Sequence, residues 1–441
     1  MRASRLLLGL VWLLALALPG PAAAAGVTPT DSEAIAQADT VERAFDLLLD
    51  RYVHPLSSAA LLDAAWSGVQ RAAADHHAPP PGPAPALADD REPDFVAFRA
   101  SLLAYLESGL AFPEDFVPAH AAITGMTRRV DEPHTYFLGT DEYRQRREWA
   151  AGNLNYGGIG VHFSSPGLLV TEVEDGSPAE RAGIQPGDQL LQVDAENVAE
   201  LAPSVARDRL RGPVGSLAAL VVRGRRDGPT RALSLRREEV HVDTAVGRRV
   251  GDVAYIRLRG FPEPSLVDQF ETLLTGFIHS DAHALILDLR GNAGGRLDLG
   301  TRLLGDFLPP GTPVFELIDR GGGDQPRLVT DDRPRWERPV VILADNRTES
   351  MGEIFAAALH ERGRATIVGT TTAGSVAGGL LFPLGDGSAL DVTVYDITTP
   401  AGVILNRVGL EPDVPVEGTR ATSEHGEDPA LERALEIVAT E

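Results

Sequence analysis

Residues 340–362, VVILADNRTESMGEIFAAALHER, pass from an apolar run through a polar segment into a helical pattern. The apolar run at 340–343 is typical of a strand that is buried on both faces of a sheet. Beyond Ser350, apolar residues recur at helical spacing and predict a helix over 352–362. A buried strand that leads directly into a helix indicates an α/β layer in which crossover helices join parallel strands.

The same alternation continues on both sides of this stretch. Apolar runs predict further strands, and amphipathic spacing predicts further helices. The expected strands cover residues 253–258, 284–289, 365–368, 389–394 and 414–416, and the expected helices cover 266–279 and 297–307. We therefore predict an α/β core over residues 241–420.

A shorter unit precedes this core. Its first residues include Gly157, Gly158 and Gly160, and the run SPAERAGIQPGDQLLQVD (177–194) predicts a short helix, a turn and a strand. Further strands are expected at 168–173, 218–223 and 231–235. We predict a small β-rich module over residues 151–240.

The two ends of the chain have different patterns. Helical spacing at 40–52, 58–73, 95–110 and 116–128 predicts a helical region over 27–150, with a Pro- and Ala-rich loop at 76–93. The tail, 421–441, carries one more expected helix at 429–439. Residues 1–26 combine two arginines, a short apolar run and four consecutive alanines, which predicts a cleaved signal peptide. An uncleaved anchor is the alternative.

The composition limits the possible partners. The formal net charge of −23 argues against nucleic acid and against anionic lipid, because both require a basic surface. No run after residue 26 is long and apolar enough to span a membrane. The absence of cysteine excludes disulfides, thiol catalysis and cysteine-based zinc sites. All 40 basic residues are arginine, so no side-chain amine is present to act as a catalytic base.

Two loops follow predicted buried strands, where ligands of α/β proteins bind. The glycine-rich loop 288–295 either forms a tight turn or turns the N–H groups of Gly294 or Gly295 toward an oxyanion. In the second loop, Ser350 stands at the start of a helix. It is either the N-cap of that helix or a nucleophile whose oxyanion is held by the N–H group of Met351.

Residues 131–413 resemble the carboxyl-terminal processing (tail-specific) serine peptidases, because several motifs occur in the order of that family. DEPHTYFL (131–138) resembles the segment before the family's PDZ domain, and LDLRGNAGG (287–295) resembles its oxyanion loop. ESMGEIFAAALHERGRATIVG (349–369) resembles its nucleophile helix, so the catalytic serine falls on Ser350. The resemblance implies a ClpP/crotonase-like core and a PDZ domain, with Gly157, Gly158, Ile159 and Gly160 in the peptide-binding loop.

The chain differs from the family at the position of the catalytic base. The family lysine position holds Ser375, and the position of the usual glutamine holds Gly379. The tricorn-like branch is similar in having a histidine before the PDZ domain and a late acidic orienter. That likeness implies His134 as the base, with Glu411 or Asn406 as its orienter. A packed turn histidine is the alternative for His134.

These patterns together predict an exported serine-type endopeptidase in a periplasmic, cell-envelope or secreted location. It is expected to cleave unfolded or C-terminal segments that bind through the PDZ domain, with no metal or organic cofactor. A catalytically inactive peptide- or ligand-binding member of the same fold is the main alternative. A scaffold that uses only its PDZ domain is a second one.

Overall fold

The computed structural model describes residues 27–150, 156–164, 168–174, 176–198, 206, 209–225, 228–240, 243–329, 336–417 and 428–440. The chain divides into two compact units, one built from residues 1–42 and 58–129 and the other from residues 43–57 and 130–441. The predicted signal peptide, 1–26, lies outside the described residues. Within the described ranges, no helix is both long and apolar enough to cross a membrane.

The first unit is helical, as the sequence predicts. Its residues belong to α1 Asp31–Arg51 (which also enters the second unit), α2 Ser58–Asp75, α3 Arg91–Leu106 and α4 Pro118–Val130. Helix α1 begins earlier than expected because Thr30 and Glu33 cap it: the Thr30 N–H donates to the Glu33 carboxylate (2.8 Å) and the Glu33 N–H to the Thr30 hydroxyl (3.3 Å). Helices α2 and α4 pack backbone to backbone at two glycines, since a β-carbon on Gly68 would lie 2.4 Å from the Ala121 carbonyl oxygen.

The second unit contains a small β-rich module that precedes the α/β core in the chain. Helix α5 Thr140–Ala150 precedes it, and its elements are β2 Tyr156–Gly158, β3 Val161–Ser164, β4 Leu169–Val173, α6 Pro178–Arg181, β5 Gln189–Val193, β6 Glu196–Asn197, β7 Leu217–Arg223, β8 Thr230–Arg236 and β9 Glu238–Val240. Six of the strands form one sheet, in the order β3-β4-β5-β7-β8 with β6 paired to β5, so β3 is an edge strand of this sheet as described. Ile159, Val170, Leu190 and Leu220 are among the residues of its core.

The α/β core contains a mostly parallel sheet. In the described residues its strand order is β10 Ala245–Val250, β11 Val253–Leu258, β12 Leu285–Asp288, β15 Val340–Ala344, β16 Thr366–Gly369 and β19 Val414–Pro415. Only the β10–β11 pair is antiparallel. The connecting helices are α7 Ser265–His279, α8 Leu297–Leu304 and α9 Met351–Glu361. Alternate strand residues enter two apolar clusters, one shared with these helices and one with α10 Pro429–Val438.

A second sheet contains one strand that was predicted from the sequence, at residues 389–394, and four strands that were not. It consists of β1 Tyr136–Leu138, β13 Pro313–Asp319, β14 Asp324–Leu328, β17 Ala377–Pro383 and β18 Ala389–Thr398. The long strand β18 pairs with β1, β13 and β17. The pairing with β1 holds residues 136–138 against β18, about 250 positions away in the chain, and so fixes where the preceding turn lies.

Candidate active site

Three loops leave the same edge of the core sheet. Strand β12 is in register with β15 (Leu287 opposite Ile342), and β15 is in register with β16 (Ala344 opposite Gly369). Because the three strands are parallel, loops 289–296, 345–350 and 370–376 all start at their carboxyl ends. These loops carry the glycines, the serine and the Ser375 position that the sequence singles out.

Ser350 has a strained backbone at the turn between β15 and α9. Its φ is 51° and its ψ is −120°, a conformation that residues with a side chain rarely adopt. The Ser350 N–H donates to the Ser375 carbonyl (2.8 Å) and to the Glu353 carboxylate (3.2 Å). A serine on a sharp strand-to-helix turn is the arrangement that exposes a hydroxyl nucleophile in hydrolases.

The glycine-rich loop lies directly against this turn. A β-carbon on Gly294, whose φ is +75°, would be 2.5 Å from Ser350 Cβ and 3.0 Å from the Met351 nitrogen. Asn292 is fully buried and organises the loop: its amide donates to the Leu258 carbonyl (2.8 Å), and its Oδ1 accepts from the Gly294 N–H (2.9 Å). The glycine-rich loop and the turn of Ser350 are therefore in direct contact.

The candidate oxyanion donors differ in whether their N–H groups already donate a hydrogen bond within the protein. The sequence left either Gly294 or Gly295 as an oxyanion donor. Because the Gly294 N–H already donates to Asn292, Gly295 is the better candidate of the two. The N–H groups of Gly295 and Met351 donate to no other described residue. Met351 is the first residue of α9, where N–H groups have no partner within the helix and the helix dipole favours negative charge.

Sequence reasoning missed Glu353, which holds the site together. Its carboxylate is fully buried and accepts from the Thr372 hydroxyl (2.5 Å), the Gly374 N–H (2.8 Å), the Ser375 N–H (2.9 Å) and the Ser350 N–H. It therefore binds the loop that follows β16 to the start of α9. The Ser-x-x-Glu spacing of a capping box was the available signal in the sequence.

His134 lies in the turn before β1, close to a carboxylate. Its Nδ1 is 3.4 Å from Glu132 Oε1, and its N–H donates to Glu132 Oε2 (2.9 Å). Its charge also acts on Glu349, the residue before Ser350. Burial and the charge of Glu353 raise the pKa of Glu349, and His134 counteracts this. In the described structure, His134 and Ser350 are not hydrogen-bonded to each other.

The two predicted orienters do not reach His134. Glu411 is exposed, and Asn406 Oδ1 accepts from the Val376 N–H (3.3 Å). Neither forms a hydrogen bond or ion pair with the His134 ring, whose carboxylate neighbour is Glu132. Glu132 was missed because it belongs to the turn of His134 itself, whereas the family resemblance directs attention to the far end of the chain.

The expected peptide-binding loop precedes the edge strand β3. Gly157 and Gly158 pair with Glu239 and Glu238 of β9. The Ile159 side chain is 1% exposed and belongs to the core, so it is not available to a ligand. The N–H groups of Ile159 and Gly160 donate to no described residue, which leaves them available for an acceptor.

An ion-pair network joins this module to the core. Arg259, two residues before Phe261 and beyond β11, contacts the carboxylates of Glu172 and, at 3.0 Å, Glu174. Glu174 also lies 2.6 Å from His162 Nε2 in β3. Phe261 in turn exchanges backbone hydrogen bonds with Gly294 and Arg296 (both 2.8 Å). A continuous chain of contacts therefore runs from the edge strand to the glycine-rich loop.

A strained serine at a strand-to-helix turn, beside N–H groups that donate to no residue in the described ranges, defines a site of the serine hydrolase class. The model of peptidase family S41 matches residues 252–416, and a PDZ domain model matches residues 169–224. The carboxyl-terminal-processing protease of Picosynechococcus sp. is 32% identical over 306 residues, covering 67% of this chain and 72% of that protein. The corresponding protease of Synechocystis sp. is 31% identical over 308 residues, covering 68% and 71%.

Solved structures agree on the fold. The photosystem II D1 C-terminal processing protease has a TM-score of 0.56 at 23% identity, covering 86% of this chain and 93% of that one. An S41 protease from Bacteroides fragilis has a TM-score of 0.53 at 17% identity, covering 75% and 92%. The chain belongs to peptidase family S41, the family of the carboxyl-terminal-processing proteases, which are serine peptidases. It also contains a PDZ domain.

Proposed function

We propose that this chain is an exported, PDZ-assisted endopeptidase that cleaves C-terminal or unfolded segments of proteins, with Ser350 as nucleophile and His134 as base. The observation that carries the proposal is the contact between Gly294 and the strained turn of Ser350. This contact brings a nucleophile and the N–H groups of Gly295 and Met351 into one place. The similar proteases are named for the processing of carboxyl termini, which supports the substrate class.

The proposed reaction is acyl transfer. The Ser350 hydroxyl attacks the scissile carbonyl carbon while its proton passes to the His134 imidazole. The oxyanion of the tetrahedral intermediate accepts hydrogen bonds from Met351 and Gly295. The C–N bond then breaks, the leaving amine takes the proton from His134, and water hydrolyses the acyl-enzyme by the same steps.

His134 is favoured as the base because the chain has no lysine and because His134 acts electrostatically on Glu349, next to Ser350. The other histidines with described ion-pair contacts (His54, His76, His162, His283 and His360) pair with carboxylates elsewhere. Hydrogen bonds of catalytic groups often tighten only when substrate binds. The absence of a direct Ser350–His134 bond is therefore compatible with this role.

Substrate capture is assigned to the PDZ domain. Its edge strand β3 is available for strand addition, and the N–H groups of Ile159 and Gly160 suit a terminal carboxylate. The signal-peptide pattern at 1–26 supports an extracytoplasmic location, where unfolded protein tails would be its substrates.

The test is cleavage of casein and of a carboxyl-terminal tail peptide by the mature chain. Wild type is compared with Ser350→Ala, His134→Ala and the control His283→Ala, whose histidine faces Asp252. A fluorophosphonate probe reports nucleophile reactivity separately. We expect wild type and His283→Ala to cleave, and both site variants to lose at least about 100-fold in rate.

Other outcomes point to the alternatives. If Ser350→Ala alone is inactive, the nucleophile is correct and His134 is not the base. If wild type neither cleaves nor reacts with the probe but binds tail peptides, the chain is a binding protein with a peptidase fold.

A further inference from the structure

The turn before β1 places two titratable side chains face to face. One oxygen of Glu132 lies 3.4 Å from His134 Nδ1, and the other accepts the backbone N–H of His134 at 2.9 Å. A single carboxylate thus contacts both the ring and the main chain of the histidine. Because an ionised carboxylate only accepts hydrogen bonds, this arrangement puts the ring proton on Nδ1 and leaves a lone pair on Nε2.

Glu132 is itself held in place from the other side. It is 9% exposed, and the Thr393 hydroxyl in β18 donates to the same oxygen that accepts the His134 N–H. The Thr393 N–H donates to the Thr135 hydroxyl (3.0 Å), and the Thr135 N–H to the Glu132 carbonyl (2.9 Å). The turn is therefore fixed to the sheet at Thr393, with the carboxylate pinned between them.

Glu132 stays ionised at neutral pH. Burial raises its pKa, but the hydrogen bonds from His134 and Thr393 outweigh burial and lower it. Two further carboxylates act on His134 from other elements: Glu349 before α9 and Asp391 on β18. Burial raises the pKa of each, and His134 lowers it. Glu132 is the one of the three that contacts the ring.

We infer that Glu132 is the residue that positions His134 for proton transfer, in the role that the sequence assigned to Glu411 or Asn406. The inference rests on the proposed function. When Nε2 takes the Ser350 proton, the imidazolium that forms has its Nδ1–H facing the Glu132 carboxylate, which stabilises the positive charge. Glu132 gains no proton, and Nε2 later releases its proton to the leaving amine.

The test removes the charge of the Glu132 side chain and keeps its shape. Glu132→Gln is expected to lower kcat by about 100-fold or more with KM changed by less than about threefold, because tautomer and charge stabilisation are lost. Thr393→Val removes the hydroxyl that pins Glu132 and is expected to lower kcat by about tenfold. The control Glu142→Gln alters an exposed glutamate that caps α5 and is expected to keep wild-type kcat.

A second readout does not depend on proteolysis. In protein labelled with ¹⁵N-histidine, the ring signals of His134 are assigned by their loss in His134→Ala. Wild type is expected to hold the Nδ1–H tautomer, and Glu132→Gln to shift toward the Nε2–H tautomer. A merely structural role would change stability without changing the tautomer.

The outcomes separate the two proposals. If wild type cleaves and Glu132→Gln keeps both kcat and the Nδ1–H tautomer, the positioning role is overturned and the proposed function stands. If wild type neither cleaves nor reacts with the serine probe, both are overturned. If Glu132→Gln fails to fold, Thr393→Val decides: unchanged kcat and tautomer in that variant overturn the positioning role.

Discussion

Gly294 packs directly against the Cβ atom of Ser350. No side chain fits between them, since a β-carbon on Gly294 would lie 2.5 Å from Ser350 Cβ. The left-handed backbone of Gly294, with a φ of +75°, allows the loop to bend into this contact. The proximity of the glycine-rich loop to the nucleophile turn therefore depends on one glycine.

This contact gives the first prediction. Gly294→Ala is expected to lower activity at least about 100-fold, because the methyl group separates the oxyanion donors from Ser350. Gly311→Ala is the matched control: its φ is +77°, but a β-carbon there meets nothing within 4 Å. Backbone strain should cost each variant about 1–2 kcal/mol of unfolding free energy, and the clash of the new methyl group with Ser350 should cost Gly294→Ala a further ~1–3 kcal/mol. Equal activity in the two variants would show that the contact is not required for catalysis.

The second prediction concerns the buried carboxylate of Glu353. Glu353→Gln replaces an acceptor-only group with an amide whose NH₂ opposes N–H donors of Gly374, Ser375 or Ser350. We expect a loss of about 2–3 kcal/mol of unfolding free energy and of most activity. Glu361→Gln, at the exposed end of the same helix, is expected to match wild type in both. Urea unfolding and peptide cleavage provide the measurements, and a fully active Glu353→Gln would contradict the prediction.

The core sheet could be predicted because its strands are apolar on both faces. Strand β11 matches its predicted range, β15 differs from its range by one residue at one end, and β12 and β16 differ by one residue at each end. Apart from the strand predicted at 389–394, the second sheet could not be predicted in this way. Strand β1 has only three residues, and β17 begins Ala-Gly-Gly, which resembles a loop. Strand β1 is stabilised by pairing with β18, a long-range contact that leaves no periodic pattern in the sequence.

The candidate site, like the fold, could be predicted only in part from the sequence. Ser350 and the glycine-rich loop follow neighbouring buried strands, and parallel strands bring such loops together. Glu353 and Glu132 were missed because their roles depend on partners that the sequence does not reveal. Glu353 binds a loop about 20 residues away. Glu132 is held by Thr393 of strand β18, about 260 residues later in the chain.

The third prediction tests the network between the PDZ domain and the core. Arg259→Gln removes the guanidinium from Glu174, which is 6% exposed and keeps only its contact with His162, whereas Glu172 keeps its pair with Arg257. We expect a loss of about 3 kcal/mol of unfolding free energy, because a buried carboxylate that loses its guanidinium partner is costly. Arg296→Gln breaks an exposed pair with Asp298 and should cost less than about 1 kcal/mol. Similar losses in urea unfolding for the two variants would argue against a structural role for the network.

The fourth prediction concerns acid stability. Burial raises the pKa of Asp288, but Arg290, Arg257 and the Tyr255 hydroxyl lower it to about 2, below the ordinary value of 3.8. A carboxylate with a lowered pKa stabilises the fold above its unfolded pKa and loses this contribution as the pH falls toward its folded pKa. The stability difference between wild type and Asp288→Asn should therefore be about 1 kcal/mol smaller at pH 3 than at pH 6.

Urea unfolding at a series of pH values measures this difference. Asp281→Asn is the control, because Asp281 is an exposed aspartate whose nearest guanidinium, that of Arg338, is 3.7 Å away. Its stability difference from wild type is expected to stay constant. If the Asp288→Asn difference is equally constant, ion pairing in the fold does not depress the pKa of Asp288.

The last prediction concerns the strain stored at the nucleophile. Ser350 has a φ of 51° without being glycine, so its side chain costs stability in the folded state. Ser350→Ala and Ser350→Gly both lack the hydroxyl and should both be inactive, but only glycine adopts this backbone without strain. We expect Ser350→Gly to be more stable than Ser350→Ala by about 1 kcal/mol in urea unfolding. Elsewhere the order is reversed: at the exposed helical position Ala100, replacement by glycine should cost about 1 kcal/mol. If Ser350→Ala is the more stable of the two, the turn is not strained and Gly294 alone accounts for the geometry of the site.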